Sequence, residues 1–280
     1  MSISNAKKWY SKAQTHYNQR RMTTNQITII LIGLLIPFLG TTLGSACVFF
    51  MREKIKPSLE SALLGFASGI MMSAAVFSLL LPAIEMRDGS PFAASGGFMA
   101  GIAFLLLMDR VIPHLHSATN REEGLHARLK RTTMLVFAVT LHNIPEGMAV
   151  GVVLAGMANG GAISAASALA LSIGIALQNF PEGAIVSLPL KTSGGSKARA
   201  FALGTLSGAV EPIFAALTIL IAGEAAAVLP FILSFAAGAM VYVIVEELLP
   251  ESSGGKGGDA PVIAFALGFA LMMTLDCALG

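Results

Sequence analysis

Charged residues are scarce in this chain of 280 residues. Asp, Glu, Lys and Arg together make up 12% of the sequence, whereas 55% of the residues are hydrophobic. An average soluble domain carries about 25% charged residues, roughly twice this share. The shortage of charge therefore argues against a soluble globular protein and predicts an integral membrane protein.

Cysteine is nearly absent as well. Cys47 and Cys277 are the two cysteines of the sequence, and both lie in apolar stretches. A buried cysteine of this kind behaves as a small hydrophobic residue. We therefore expect no disulfide framework, no redox role and no thiolate cage of the kind that holds structural zinc. We also expect no cleavable signal peptide, because the first 26 residues are polar and the first apolar run is too long for a signal-peptide core.

Long apolar stretches are the dominant feature of the sequence. A transmembrane helix needs about 20 predominantly apolar residues, and stretches near this length recur eight times. We therefore predict an all-α membrane protein with eight transmembrane helices, preceded by an extracytoplasmic or interfacial tail at 1–26, with the eight-span domain at 27–280. The predicted spans 1 to 8 are about 27–50, 58–84, 92–112, 132–157, 161–189, 199–222, 226–248 and 260–278.

Lys and Arg are distributed unevenly between the two sides of these spans. The connections after spans 1, 3, 5 and 7 hold 12 of the 18 cations, whereas the opposite side holds Arg87 and the five cations of the N-terminal tail. Short loops rich in Lys and Arg stay in the cytoplasm. We therefore expect the loops after odd-numbered spans to be cytoplasmic and both termini to be extracytoplasmic, although the tail argues weakly against this.

Three motifs occur twice in the same order, separated by 164, 167 to 169 and 167 residues. Span 1 shares a Leu-Gly-Thr-x-x-Gly motif with span 6, span 2 shares Phe-Ala-x-Gly-x-Met with span 7, and span 3 shares a Gly and an Asp eight residues apart with span 8. Each span of the second copy comes five spans after its counterpart in the first, an odd number, so the copies run in opposite directions. We predict a 3+2+3 arrangement in which spans 1–3 and 6–8 form an inverted repeat, a signature of secondary transporters. The first residues of the paired motifs are Leu39 and Leu203, Phe66 and Phe235, and Gly101 and Gly268.

The two central spans each carry a polar hexapeptide. His142-Asn143-Ile144-Pro145-Glu146-Gly147 lies in span 4, and Gln178-Asn179-Phe180-Pro181-Glu182-Gly183 follows 36 residues later in span 5. Ionisable residues inside a membrane are costly and mark functional sites by default. The first and fifth residues of each hexapeptide share one helix face, and the prolines are expected to interrupt both helices.

These side chains are suitable ligands for a metal cation. Imidazole, carboxylate and amide oxygen together favour a borderline divalent metal, and span 6 adds Glu211 beside Pro212. Three carboxylates could balance more than one divalent charge, so two adjacent metal positions are consistent with the pattern. The alternative is a pair of helices kinked by proline, with glutamates paired to each other or to water.

The paired hexapeptides resemble those of the ZIP (Zrt/Irt-like) metal-ion transporters, and the chain is most similar to their bacterial GufA-like branch. The resemblance spans about 27–280 and implies a two-metal centre, with Met71 of span 2 facing it. This chain has Gln178 where the family usually has His, and Asn179 where Asp is frequent. Both departures remove a nitrogen ligand or a charge. The implied metal ligands are His142, Asn143, Glu146, Gln178, Asn179, Glu182, Glu211 and Met71.

The resemblance implies a function as well as a site. It implies import of divalent transition-metal ions such as Zn²⁺, and also Cd²⁺, Fe²⁺ and Mn²⁺, across the bacterial cytoplasmic (inner) membrane. The metal ion is then the substrate of a multi-pass transporter and the protein is not an enzyme. The expected partners are membrane lipid, metal ions and a second copy in a homodimer, with no nucleic acid. The alternatives are an intramembrane metallohydrolase and a metal sensor that does not conduct. The sequence has no His-Glu-x-x-His motif, which argues against the metallohydrolase.

Several other residues remain open to more than one interpretation. Met71 fits core packing by itself, and the resemblance adds the ligand interpretation. Asp109 and Asp276 fit a structural role or, for Asp276, a place along the ion path. Glu246 and Glu247 fit either a solvated helix end or an exit for cations. The histidines of the loop between spans 3 and 4 fit either solvent exposure or a metal sensor; they are His114, His116 and His126.

Replacing Gln178 by histidine tests the first departure from the family pattern. We expect Gln178→His to shift uptake toward Zn²⁺ relative to Mn²⁺ and Fe²⁺, because imidazole is a softer ligand than an amide oxygen. Competition uptake with the three ions measures the shift. Unchanged ratios would show that this position does not contribute to selectivity.

Overall fold

The protein is described by a computed structural model, which covers residues 22–50, 55–86, 91–111, 114–115, 122–123, 131–158, 163–224, 228–253 and 258–279. Its helices include eight that are long and apolar enough to cross a membrane. This confirms the predicted all-α fold and the number of spans. The helices are α1 Thr24–Phe50, α2 Pro57–Glu85, α3 Pro91–Val111, α4 Arg131–Ala158, α5 Ala165–Thr192, α6 Lys197–Gly208 continued by Val210–Glu224, α7 Leu229–Ser253 and α8 Ala260–Leu279.

A short strand pair lies in the connection between α3 and α4. The strands β1 His114–Leu115 and β2 Glu122–Glu123 pair in antiparallel fashion. His116 and His126 lie outside the described residues, as does most of the N-terminal tail. The interpretations of the loop histidines and of the tail therefore stay predictions.

The start of α5 shows how local chemistry sets a helix boundary. The side chain of Ser164 accepts a hydrogen bond from the backbone N–H of Ser167 at 2.9 Å, which satisfies one of the unpaired donors of the first helical turn. The helix therefore begins at Ala165, four residues later than the predicted start of span 5. Ser196 caps α6 in the same way through the N–H of Arg199 at 3.2 Å.

The prolines of the two hexapeptides do not break their helices. Helices α4 and α5 run without a gap through Pro145 and Pro181, so the prediction of interrupted helices at these positions is wrong. A proline removes one backbone donor, and the packing of the neighbouring turns keeps the helix continuous here. Helix α6 is instead irregular at a single residue, Ala209, three residues before Pro212. The backbone of Ala209 stays in the helical region, but its N–H donates to the carbonyl of Leu206, three residues earlier, and this local irregularity is called the break in α6 below.

Two helices contain π-helical segments at matching positions. In α2 the segment is Ala74–Leu80, and in α7 it is Ile244–Leu248. The N–H of Leu81 and that of Leu249 each donate to the carbonyl five residues earlier. A proline follows each segment closely, and π-helical turns occur often at functional sites.

The helices pack in pairs that form two bundles. Helix α1 packs along α5 and α4 along α6, and these four helices are called the site bundle below. Helix α2 packs along α8 and α3 along α7, and these four are called the flanking bundle. This pairing is unchanged when α1 is exchanged with α6, α2 with α7, α3 with α8 and α4 with α5, as an inverted repeat would require. The repeat itself stays a prediction.

Glycine allows the paired helices to approach to backbone contact. A Cβ added at Gly101 of α3 would collide with the carbonyl of Phe235 in α7, and one at Gly238 would collide with the carbonyl of Phe98. Gly69 of α2 faces α8 in the same way. Helices in lipid gain no hydrophobic energy from association, so close packing at small residues holds them together.

Gly101→Ala tests this packing against a matched control on the same helix. We expect it to destabilise the protein by about 1–3 kcal/mol, because a backbone atom must move to admit the methyl group. Gly96 has no atom within 4 Å of an added Cβ, so Gly96→Ala should be neutral or slightly stabilising. Thermal unfolding in detergent measures both variants. Equal midpoints would contradict the assignment of Gly101 to a tight contact.

Candidate metal centre

The two hexapeptides face each other inside the site bundle. All the predicted ligands from α4, α5 and α6 are buried, with no residue more than 7% exposed. The side chains from three helices are thus removed from lipid and collected at one level of the bundle. They are His142, Asn143, Glu146, Gln178, Asn179, Glu182 and Glu211.

Two amides join two of the carboxylates in a continuous hydrogen-bonded chain, called the amide ladder below. Gln178 Nε2 donates to Glu146 Oε1 at 2.5 Å and to Asn179 Oδ1 at 2.8 Å. Asn179 Nδ2 donates to Glu211 Oε2 at 2.9 Å. The ladder thereby connects α4, α5 and α6. Hydrogen bonds to a carboxylate are stronger than neutral ones, so these amides offset part of the cost of burying the two glutamates.

Helix α1 completes the surroundings of the ladder. Thr41 Oγ1 donates to Glu211 Oε1 at 2.9 Å, and Asn179 Nδ2 also lies 3.3 Å from the carbonyl oxygen of Pro37. Thr41 was not among the predicted ligands. Its place in the repeated Leu-Gly-Thr motif was the signal that could have pointed to it.

Asn143 has a structural contact in this arrangement. Its Nδ2 donates to the carbonyl oxygen of Ser207 at 3.0 Å. Ser207 lies two residues before the break in α6, where backbone carbonyls lose their helical donors. Asn143 thus ties α4 to the break in α6, and its role as a metal ligand stays a prediction.

A small acidic cavity lies beside the hexapeptides, at the end of the bundle away from the α4–α5 connection. This narrow cavity, of about 40 Å³, is lined by His142, Glu182, Glu247 and Glu251, together with apolar residues. His142 Nε2 contacts a carboxylate oxygen of Glu247 across the two bundles. Glu246 is exposed whereas Glu247 is buried. The interpretation as a solvated helix end therefore fits Glu246 but not Glu247.

A larger cavity opens at the other end, beside the α4–α5 connection. This wide cavity has a volume of about 440 Å³, and its polar lining includes Ser78, Glu85 and Asp276. Ser78 Oγ lies 2.7 and 2.8 Å from the two carboxylate oxygens of Asp276. Asp109, the repeat partner of Asp276, accepts a hydrogen bond from Tyr242 instead.

Met71 lies in the large apolar core. It is 1% exposed and belongs to a cluster that also contains Ile70, Leu154 and Ile175. This placement agrees with its interpretation as core packing. Its position facing a metal ion stays a prediction.

The buried polar atoms of the ladder are compatible with a cation. Glu146 Oε2 and Gln178 Oε1 are buried without a hydrogen-bond partner, and an unsatisfied buried acceptor costs about 1–3 kcal/mol. A cation beside both atoms would satisfy them. Within the ranges that the structure describes, no three His, Cys, Asp or Glu side chains converge as metal ligands. The amide nitrogens of Gln178 and Asn179 lie against Glu146 and Glu211.

Comparison with known sequences decides the family. The sequence model of the ZIP zinc transporter family matches residues 114–276, more than half of the chain. The chain belongs to the ZIP family. The matched region contains both hexapeptides, Glu211 and Glu247, so the ZIP resemblance carried by the hexapeptides is confirmed.

Several ZIP relatives extend the match to most of the chain. The zinc transporter GufA of Myxococcus xanthus is 35% identical over 89% of this chain and 98% of its own length. The zinc transporter ZIPB of Bordetella bronchiseptica is 35% identical over 89% of this chain and 81% of its own length. The zinc transporter ZIP11 of Homo sapiens is 32% identical over 89% and 97%. These relatives agree with a GufA-like member of the ZIP family.

Thr41→Val tests whether the contact from α1 supports the ladder. Valine has a similar shape but no hydroxyl, so Glu211 loses a buried donor at a cost of about 1–3 kcal/mol. The neighbouring Thr42→Val is the matched control, because the hydroxyl of Thr42 donates to the carbonyl of Phe38 within α1. We expect a clearly lower thermal midpoint in detergent for Thr41→Val than for Thr42→Val. Equal midpoints would mean that Thr41 is dispensable to the ladder.

Proposed function

We propose that this ZIP protein imports divalent transition-metal ions, with Zn²⁺ as the main substrate, across the cytoplasmic membrane. The observation that carries the proposal is a buried set of carboxylates, amides and one imidazole between two acid-lined cavities at opposite ends of the bundle. Along α4, Val153 lines the wide cavity and His142 the narrow one. Glu146 of the ladder lies between them.

The charge distribution supports the passage of cations from one side to the other. The predicted orientation assigns the wide cavity to the extracytoplasmic side, where Glu85 and Asp276 attract cations from solution. The narrow cavity then faces the cytoplasm and offers Glu247 and Glu251 on the exit side. Acid-lined clefts raise the local concentration of cations, so each side of the path favours a metal ion over an anion.

The ladder, together with His142 and Glu182 beside it, supplies the proposed two-metal centre. Glu146, Glu182 and Glu211 provide three carboxylates, and His142 provides the imidazole. In the structure the amide nitrogens of Gln178 and Asn179 face Glu146 and Glu211. A rotation of either amide about its terminal bond brings its oxygen toward an ion in place of its nitrogen. The ion then takes the place of the amide N–H donors beside the carboxylates, and the donors return when the ion leaves.

The division into bundles supports alternating access. The hydrogen bonds of the ladder and of Thr41 lie entirely within the site bundle. Both cavities, by contrast, lie between the site bundle and the flanking bundle. The site bundle can therefore slide against its neighbour and carry an intact centre from one cavity to the other. We propose a homodimer as the assembly in which this sliding occurs.

Uptake into proteoliposomes tests the proposal. We expect purified protein to accumulate Zn²⁺ or Cd²⁺ inside vesicles that contain a metal-sensitive dye. His142→Ala and Glu182→Ala should abolish most of this uptake, because each removes a charged or coordinating group from the path. Glu246→Gln is the matched control, since Glu246 is exposed beside the buried Glu247, and it should retain uptake. Size-exclusion profiles verify that the variants fold.

Other outcomes would replace the proposal. Saturable metal binding without flux would indicate a sensor, and metal-dependent hydrolysis of lipid or peptide without uptake would indicate a hydrolase. Wild-type rates in either His142→Ala or Glu182→Ala would show that the centre is misassigned.

A further inference from the structure

An apolar groove runs along the side of the site bundle, separate from both cavities of the ion path. This lateral groove, of about 490 Å³, lies between α4, the end of α5 and the first segment of α6. Phe137 and Thr140 of α4 line one wall, and Leu203 and Leu206 of α6 line the other. Arg199 lies at its end.

The different packing of α6 on the two sides of Ala209 accounts for the groove. Beyond the break, Gly147 and Gly151 of α4 meet the backbone of Glu211 and Ala215 so closely that a Cβ would collide. Before the break, α6 packs mainly along α1, and its contact with α4 is much weaker. The two helices therefore diverge from Ala209 toward their N-terminal ends, and the space between them stays open.

The dimensions and lining of the groove fit one lipid chain. Phe137 is 40% exposed and Leu206 is 61% exposed, so the groove opens toward the surrounding lipid. From Arg199 to Leu206 it follows α6 for seven residues, about 10 Å at 1.5 Å per residue. One leaflet of the hydrocarbon core is about 15 Å thick. The groove thus remains within a single leaflet.

The charge at the end of the groove selects the lipid headgroup. The guanidinium of Arg199 makes no ion pair with any residue that the structure describes, and its side chain is exposed. The predicted orientation places this end at the cytoplasmic surface, whose leaflet carries anionic lipid. Arginine binds phosphate with strong, directional hydrogen bonds.

We propose that the lateral groove binds an anionic phospholipid of the cytoplasmic leaflet. Its phosphate lies against Arg199, and one acyl chain follows Phe137, Leu203 and Leu206. Leu206, which lines the groove, is followed in the chain by Ser207, whose carbonyl accepts the hydrogen bond from Asn143. The bound chain therefore fills the space between α4 and α6 and stabilises the arrangement of these helices that holds the centre.

Fluorescence quenching by brominated lipid tests this binding without reference to transport. Trp9 is the one tryptophan of the sequence, so Trp9→Phe with Phe137→Trp places a single reporter in the groove. The full-length protein is reconstituted in phosphatidylcholine with brominated phosphatidylglycerol or brominated phosphatidylcholine as the quencher. We expect about a fivefold preference for phosphatidylglycerol, the effect of roughly one cation on an anionic lipid.

Two variants and a second reporter make the test specific. Arg199→Gln should reduce the preference to near one, whereas Lys56→Gln, which removes an exposed cation on the same predicted face, should leave it unchanged. A reporter at Leu107→Trp, which faces lipid on α3 with 59% exposure, should respond equally to both lipids. Size-exclusion profiles confirm folding of each variant.

Three results would overturn the proposal. Equal quenching of the Phe137→Trp reporter by both lipids would show a groove filled by any lipid. Weak quenching by both would show that a second copy or another segment covers it. An undiminished preference in Arg199→Gln would show that Arg199 does not select the headgroup. None of these outcomes depends on metal uptake, so the proposed transport function is tested separately.

Discussion

The hydrogen-bonded chain from Glu146 through Gln178 and Asn179 to Glu211 is the constraint on which the rest of the structure depends. Carboxylates at this depth have no water to solvate them, so donors from neighbouring helices must reach them. This requires α1, α4, α5 and α6 to pack at nearly backbone distance. The glycines at their contacts make such packing sterically feasible, and the hydroxyl of Thr41 and the amide of Asn143 then fall into place.

The flanking bundle contributes differently. Its π-helical segments bring Ser78 of α2 to the wide cavity and Glu247 of α7 to the narrow one. A π turn contains an extra residue and rotates the side chains that follow it relative to an α-helix. Each cavity therefore combines ladder-bearing helices from one bundle with a polar side chain from a distorted turn of the other. This arrangement concentrates polar groups at the boundary where the two bundles can move.

Two amides, those of Gln178 and Asn179, set the chemistry of the proposed centre. A histidine and an aspartate at these positions would add a nitrogen ligand and a negative charge. The amides instead donate to the neighbouring carboxylates when no cation is between them, which limits repulsion among three buried glutamates. The proposed centre can therefore remain folded without an ion and still offer amide oxygens to one. Asn143 contacts α6 near the point where α4 and α6 begin to diverge along the lateral groove, so the proposed centre and the lipid-facing surface share one helix.

The sequence by itself determined the eight spans, the positions of the hexapeptides and the family, because apolar length and local spacing are properties of contiguous residues. It also indicated that His142, Glu146 and Glu182 would lie in the interior. It did not determine that Glu247 would meet His142, that Thr41 would donate to Glu211, or that Ser78 would pair with Asp276, since these partners are separated by 100 or more residues. It also misplaced the helix break, which occurs before Pro212 rather than at Pro145 or Pro181. Only tertiary packing decided these features. Neighbouring helices supply the hydrogen-bond donors and fill the space that determine whether a proline breaks a helix and which acid is buried.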